Sequence, residues 1–148
     1  MDHSIIAGEL FLGGCNCAQA TLVSLAEEAG LTTEAAMKMA CPFGGGCRAG
    51  EVCGAAVGAL LALGQVFGNT DWEDKETRQK ADALAIEFGQ WFKATHGAMT
   101  CRDLVGADTS TPEGKQYFHD HPEIKEKICF AAVDSSIEKM KEIIAANQ

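Results

Sequence analysis

"GEVCGAAVGALLALGQVF", residues 50–67, is the stretch on which the fold turns. Residues 52–67 form the longest apolar segment, interrupted by Gly54, Gly58, Gly64 and Gln65. It is too short and too broken to read as a membrane span, and it lacks the alternation of a half-buried strand. A buried core helix is what remains. Gly50, Gly54 and Gly58 recur every four residues, so the pattern predicts a helix from about residue 49–51 to 67 with one glycine face. Such a face lets another helix, or a ligand, approach the backbone closely.

Upstream, "CPFGGGCRAG" (41–50) breaks every periodicity. Pro42 and three successive glycines cannot form a stable helix interior, so residues 42–50 read as a Gly-rich loop, most simply a flexible connector. Before it, residues 4–12 read as a short amphipathic helix ended by Gly13-Gly14. Asn16 caps a helix over 17–29, with Gly30 as its stop. Thr32 or Thr33 caps another through Met39. Downstream, Asp71 is placed to cap a long helix over 72–95, with Ala81, Leu84, Ala85, Phe88 and Phe92 as its inner stripe. Thr100 caps a short helix ended by Gly106. Thr111-Pro112-Glu113 reads as an N-terminus. A last helix spans about 122–145, with Ile124, Ile128, Ala131, Ala132, Ile137 and Met140 on its apolar side. The reading is an all-α, single-domain helical bundle covering residues 1–148.

Composition agrees. Aromatic residues are 7%, whereas alanine and glycine are abundant, which suits closely packed helices. The net charge of −9 repels phosphate backbones and argues against nucleic-acid binding. Met1, Asp2 and His3 do not resemble the basic start of a leader, and no membrane span is predicted, so the expected location is cytoplasmic. A glycine-lined helix face would also serve a homodimer.

In that compartment seven cysteines point to metal or redox chemistry. Cys17, Cys53 and Cys101 fall in predicted first helical turns, where free N–H groups and the helix dipole stabilise a thiolate. Cys129 is predicted inside the last helix, on its buried side. Cys15 and Cys17 form Cys-x-Cys, and Cys41, Cys47 and Cys53 surround the glycine loop. A free cysteine also packs as a small hydrophobe, and no spacing here is a zinc-ribbon pair or a ferredoxin run. Any shared site must therefore be assembled by the fold. Other motifs carry less. "FGGGC" has the look of an anion-binding nest but lacks the Lys-Ser/Thr of a nucleotide loop. His119-Asp120-His121 reads as a solvent-exposed loop, His96 as a dipole-friendly helix end, and Asp71, Glu73, Asp74 and Glu76 as a solvated helix start. No catalytic triad or carboxylate pair can be defended from spacing.

The order "NCAQATLVSLAEEAGL", "FGGG…GEVCGAAVGALLALG", "CRDLVG" and "CFAAV" resembles the C_GCAxxG_C_C family, which is called redox-active because of its cysteines. Its CGAxxG motif stands here as Cys53-Gly54-Ala55-Ala56-Val57-Gly58, and the resemblance spans residues 15–133. A related module occurs in split-Soret-type cytochromes, where it is associated with an iron–sulfur centre. The resemblance therefore implies Cys17, Cys53, Cys101 and Cys129 as four thiolate ligands of an iron–sulfur cluster. Cys15, Cys41 and Cys47 lie outside the family pattern and are additional candidate ligands or a resolving pair. No Cys-x2-Cys-His is present, so haem attachment is not implied.

Three functions compete at this level. The first is an iron–sulfur electron-transfer protein that works with a redox partner protein. The second is a thiol–disulfide oxidoreductase that needs no metal. The third is a structural module holding zinc through four cysteines.

Overall fold

Residues 3–148 are described by the computed structural model, residues 3–5 as backbone only. The leader reading at Met1 and Asp2 lies outside the described residues. The architecture is all-α, as the periodicity predicts. Helices α1 (His3–Leu12), α2 (Cys17–Ser24), α3 (Ala26–Ala29) and α4 (Thr33–Ala40) precede the glycine loop. Helices α5 (Gly54–Phe67), α6 (Lys75–His96), α7 (Cys101–Val105), α8 (Pro112–Asp120) and α9 (Phe130–Asn147) follow it. Among the described residues no helix is long and apolar enough to cross a membrane.

Helix α5 lies at the centre, packed on α2, α9, α6 and α3. Its residues Ala55, Ala56, Ala59 and Ala62 are inaccessible to solvent, as are Leu22, Phe88, Phe92, Val133, Ile137 and Met140 around it. Small side chains allow the contact with α2 to be very close. A Cβ added to Gly58 would lie 2.8 Å from the Ala18 carbonyl oxygen and 3.0 Å from Thr21 Cβ. One added to Gly54 would lie 3.1 Å from the Ala18 nitrogen and 3.2 Å from Cys17 Cβ. The glycine face is thus filled within the chain, by α2.

The predicted boundaries shift at four places. Helix α5 starts at Gly54, not near residue 50. Gly50 has a left-handed φ of 68° and Glu51 is non-helical (φ −91°, ψ −141°), held by Arg102, which donates to the Gly50 carbonyl at 3.3 Å and pairs with the Glu51 carboxylate. Gly50 therefore leaves the glycine face. The helix predicted over 17–29 breaks at Leu25 (φ −102°, ψ 3°), and α3 then closes at Gly30 in the left-handed region. Helix α6 is capped by Asp74, which accepts the Thr77 N–H at 3.1 Å. Asp71 instead closes a local turn by accepting the Glu73 N–H, and Trp72 stands outside the helix, 81% exposed.

The last helix enters through a widened π-type turn, Ile124–Cys129, before α9 begins at Phe130. The extra residue in that turn rotates Ile128 and Ala131 outward, off the predicted apolar side. Ile124, Ala132, Ile137 and Met140 keep it. Cys129 consequently sits at the junction and not within a regular helix.

The glycine loop is packed and ordered by contacts, not a free connector. Backbone at Gly44 touches the Asn16 side chain, and a Cβ on Gly46 would lie 2.7 Å from Cys101 Cβ. Gly45, Gly46, Cys47 and Arg48 have successive φ values of 62°, 66°, 61° and 59°. Two of the four are not glycine, and a left-handed L-residue costs roughly 1–2 kcal/mol.

Two substitutions check the packing and one the strain. Gly58→Ala is expected to destabilise by about 1–3 kcal/mol through overpacking on α2. Gly64→Ala, in the same helix with open space around it, is expected to stabilise by about 1 kcal/mol. Cys47 is exposed, so Cys47→Gly removes strain without removing packing, and a net gain of about 0.5–1 kcal/mol is expected after the glycine entropy cost. Denaturant unfolding measures all three.

Candidate thiol site

Four separate elements deliver four thiols to one cavity of about 360 Å³. Cys17 is the first residue of α2, Cys53 the N-cap of α5, Cys101 the first residue of α7, and Cys129 the last residue of the widened turn. Phe11, Leu104, Val105, Phe118 and Ala132 supply apolar wall, and among the described residues no carboxylate lines the cavity.

Local chemistry explains each placement. The Asn16 side chain accepts the Gln19 N–H at 2.9 Å, and Gln19 returns a bond to the Asn16 N–H, so a reciprocal capping box starts α2 at Cys17. The Asn16 amide also donates to the Cys41 carbonyl at 2.9 Å, which anchors the glycine loop. A short antiparallel bridge joins Val52 to Thr100. Around it the Cys53 N–H donates to the Met99 carbonyl at 2.8 Å and the Cys101 N–H to the Glu51 carbonyl at 2.6 Å. This bridge sets Cys53 and Cys101 side by side, and Thr100 then caps α7.

Electrostatics divide the thiols. Cys17 is raised well above an ordinary thiol because it donates its S–H to Cys129, because it is buried, and because Cys53 and the other sulfurs face it. Burial pushes Cys53 up to about 11, although the N–H groups of Ala55 and Ala56 at the start of α5 favour its thiolate. Cys101 is also raised by burial, against a contact with the Thr109 hydroxyl at 4.0 Å. Cys129 is lowered, chiefly by the Cys17 S–H and further by Lys125, against its own burial. Cys129 is therefore the readiest of the four to ionise, among thiols that resist it. A cation would be needed before all four could ionise together. Among the described residues, no group of three or more Cys, His, Asp or Glu side chains is arranged to hold a metal ion.

The remaining candidates separate. Cys15 lines the cavity, with its sulfur 3.9 Å from that of Met37. Cys41 and Cys47 are exposed and do not line it. His119 and His121 also lie outside its lining. His119 stands 3.5 Å from Asp120, and His121 stacks on Tyr117 with ring centroids 4.2 Å apart. His96 meets Ser135 Oγ at 2.8 Å, and burial lowers its basicity, so desolvation outweighs the helix dipole expected to favour its charge. Lys125 and Thr109 touch the thiols' environment without any motif to mark them. They arrive through the folding of residues 106–129.

Among Cys17, Cys53, Cys101 and Cys129, Cys129 is expected to react first with iodoacetamide in metal-free, reduced protein. Its rate is expected to rise with pH at a midpoint below the ordinary thiol value of 9.0. Cys17→Ala removes the S–H donor, so the midpoint is expected to move upward. Site-resolved mass spectrometry across a pH series measures both.

A family model described as "Putative redox-active protein (C_GCAxxG_C_C)" matches residues 15–143. No curated protein and no solved structure matches the chain. The family match takes in Cys17, Cys53, Cys101 and Cys129, and with them nearly all of the bundle: the chain belongs to the C_GCAxxG_C_C family.

Proposed function

We propose that this protein holds an iron–sulfur cluster through Cys17, Cys53, Cys101 and Cys129 and uses it for electron transfer with a redox partner protein. The observation that carries this reading is the convergence of four thiols, from four elements far apart in sequence, on one apolar-walled cavity. Soft thiolates suit iron–sulfur clusters, and low-charge, dry surroundings with N–H donors to sulfur tune them. The N–H groups of Ala55 and Ala56 already serve the Cys53 sulfur. A cluster would supply one-electron chemistry. The protein's own part is to exclude water with Phe11, Leu104 and Phe118, and to offset thiolate charge with Lys125.

Zinc is the weaker fit. Four thiolates on one zinc, each at about 2.3 Å, bring their sulfurs within about 4 Å of one another. Cys17, Cys53, Cys101 and Cys129 line a cavity of about 360 Å³, more room than one ion needs. A metal-free thiol–disulfide oxidoreductase is the second reading, and the Cys17–Cys129 contact favours it. A thiolate beside a thiol is the starting arrangement for disulfide formation once an oxidant accepts two electrons.

Iron and acid-labile sulfide per chain, measured on protein purified without oxygen, test the proposal. Near-equal amounts are expected, with visible bands that bleach on reduction. Ser at any of positions 17, 53, 101 or 129 is expected to abolish or reshape those bands. Ser at 41 or 47 is expected to leave them unchanged. Protein that takes up neither iron nor sulfide on reconstitution, yet shows a reversible Cys17–Cys129 disulfide, would establish the second reading instead.

A further inference from the structure

Beyond its cysteines the thiol cavity runs into a side cleft of about 150 Å³ lined by Gly45, Arg48, Thr109, Ser110 and Lys115. All but Ser110 also line the main cavity, so the two spaces are continuous. The chain as a whole carries 21 acidic against 12 basic residues, yet among the described residues the lining of both spaces contains cations and no carboxylate. Among the described residues neither Arg48 nor Lys115 forms an ion pair. The carboxylates near these residues in sequence are held elsewhere or lie outside the lining: Asp108 accepts the Ser110 hydroxyl at 2.6 Å and the Ser110 N–H at 2.9 Å, Glu51 pairs with Arg102, and Glu113 does not line the cleft.

The backbone is specialised at the same place. Arg48 closes the left-handed run that starts at Gly45, with φ of 59°. Residues held in such strained backbone cluster at functional sites and ligand clamps. Lys125 plays a different part. It lies deeper, 5.1 Å from the centre of the Phe11 ring, and acts on Cys129.

We infer that the cleft of Arg48, Lys115, Thr109 and the left-handed turn at Gly45 is a subsite for a small oxyanion: the carboxylate or phosphate group of a ligand. The guanidinium and ammonium supply charge-assisted hydrogen bonds, and the Thr109 hydroxyl a neutral one. The inference rests on cleft geometry and charge, and it does not depend on what the thiols hold.

Phenylglyoxal, which modifies arginine, provides a local test on the full-length protein as purified. Inorganic phosphate and acetate are titrated separately at matched ionic strength, with chloride as the control, and modification is mapped by mass spectrometry. Arg48 is expected to be protected saturably by one or both anions and not by chloride. Arg78, an exposed surface arginine paired with Asp82, is expected to be unprotected. Lys115→Gln, an exposed position that leaves the core intact, is expected to raise the protecting concentration roughly tenfold. Tighter protection by phosphate assigns a phosphate ligand, and tighter protection by acetate a carboxylate ligand. Equal protection of Arg48 and Arg78, no protection by either anion, or an unchanged midpoint in Lys115→Gln would overturn the subsite.

Discussion

The close contact between α2 and α5 is the constraint from which the site follows. At Gly58 the two backbones approach within a distance that a Cβ essentially never shares, and at Gly54 the space is nearly as tight. That approach sets Cys17, at the start of α2, beside Cys53, at the start of α5. Both helices present their N-terminal ends at the cavity, so peptide N–H groups are available to sulfur where a bulkier contact would have held the helix ends apart. The same glycines that close-pack the core therefore assemble half of the thiol site.

The other half is built by short-range devices. A two-residue bridge holds Cys101 beside Cys53, and a widened turn delivers Cys129 opposite Cys17. Neither is a regular element. The bridge is stabilised by Arg102, which grips Gly50 and Glu51. The widened turn costs the last helix its regular register and turns Ile128 to solvent. Local irregularity of this sort is common at functional sites, where a side chain has to be aimed rather than merely buried.

Charge gives the cavity its direction. Buried thiols at one end resist ionisation, while ionisation of Cys129 is favoured by a neighbouring S–H and by Lys125. Towards the side cleft Arg48 and Lys115 reverse the acidic character of the chain. A redox centre inside and a cationic recess beside it are compatible arrangements, because the positive charges favour electron-rich sulfur as well as an anion.

Much was legible in the residues alone. Helical periodicity, the caps at Asn16, Thr32, Thr100 and Thr111, and the stops at Gly30 and Gly106 determined an all-α chain, since each is decided within a few residues by backbone hydrogen bonding. The order of motifs singled out Cys17, Cys53, Cys101 and Cys129. What spacing could not decide was which cysteines meet. Cys15 reaches the cavity while Cys41 and Cys47, flanking the glycine loop, stay at the surface. The start of α5, the widened turn before α9, and the recruitment of Arg48, Lys115 and Lys125 were likewise settled only by the tertiary structure. They depend on contacts between segments distant in sequence, such as Arg102 with Gly50 and Glu51, and no local propensity records such a contact.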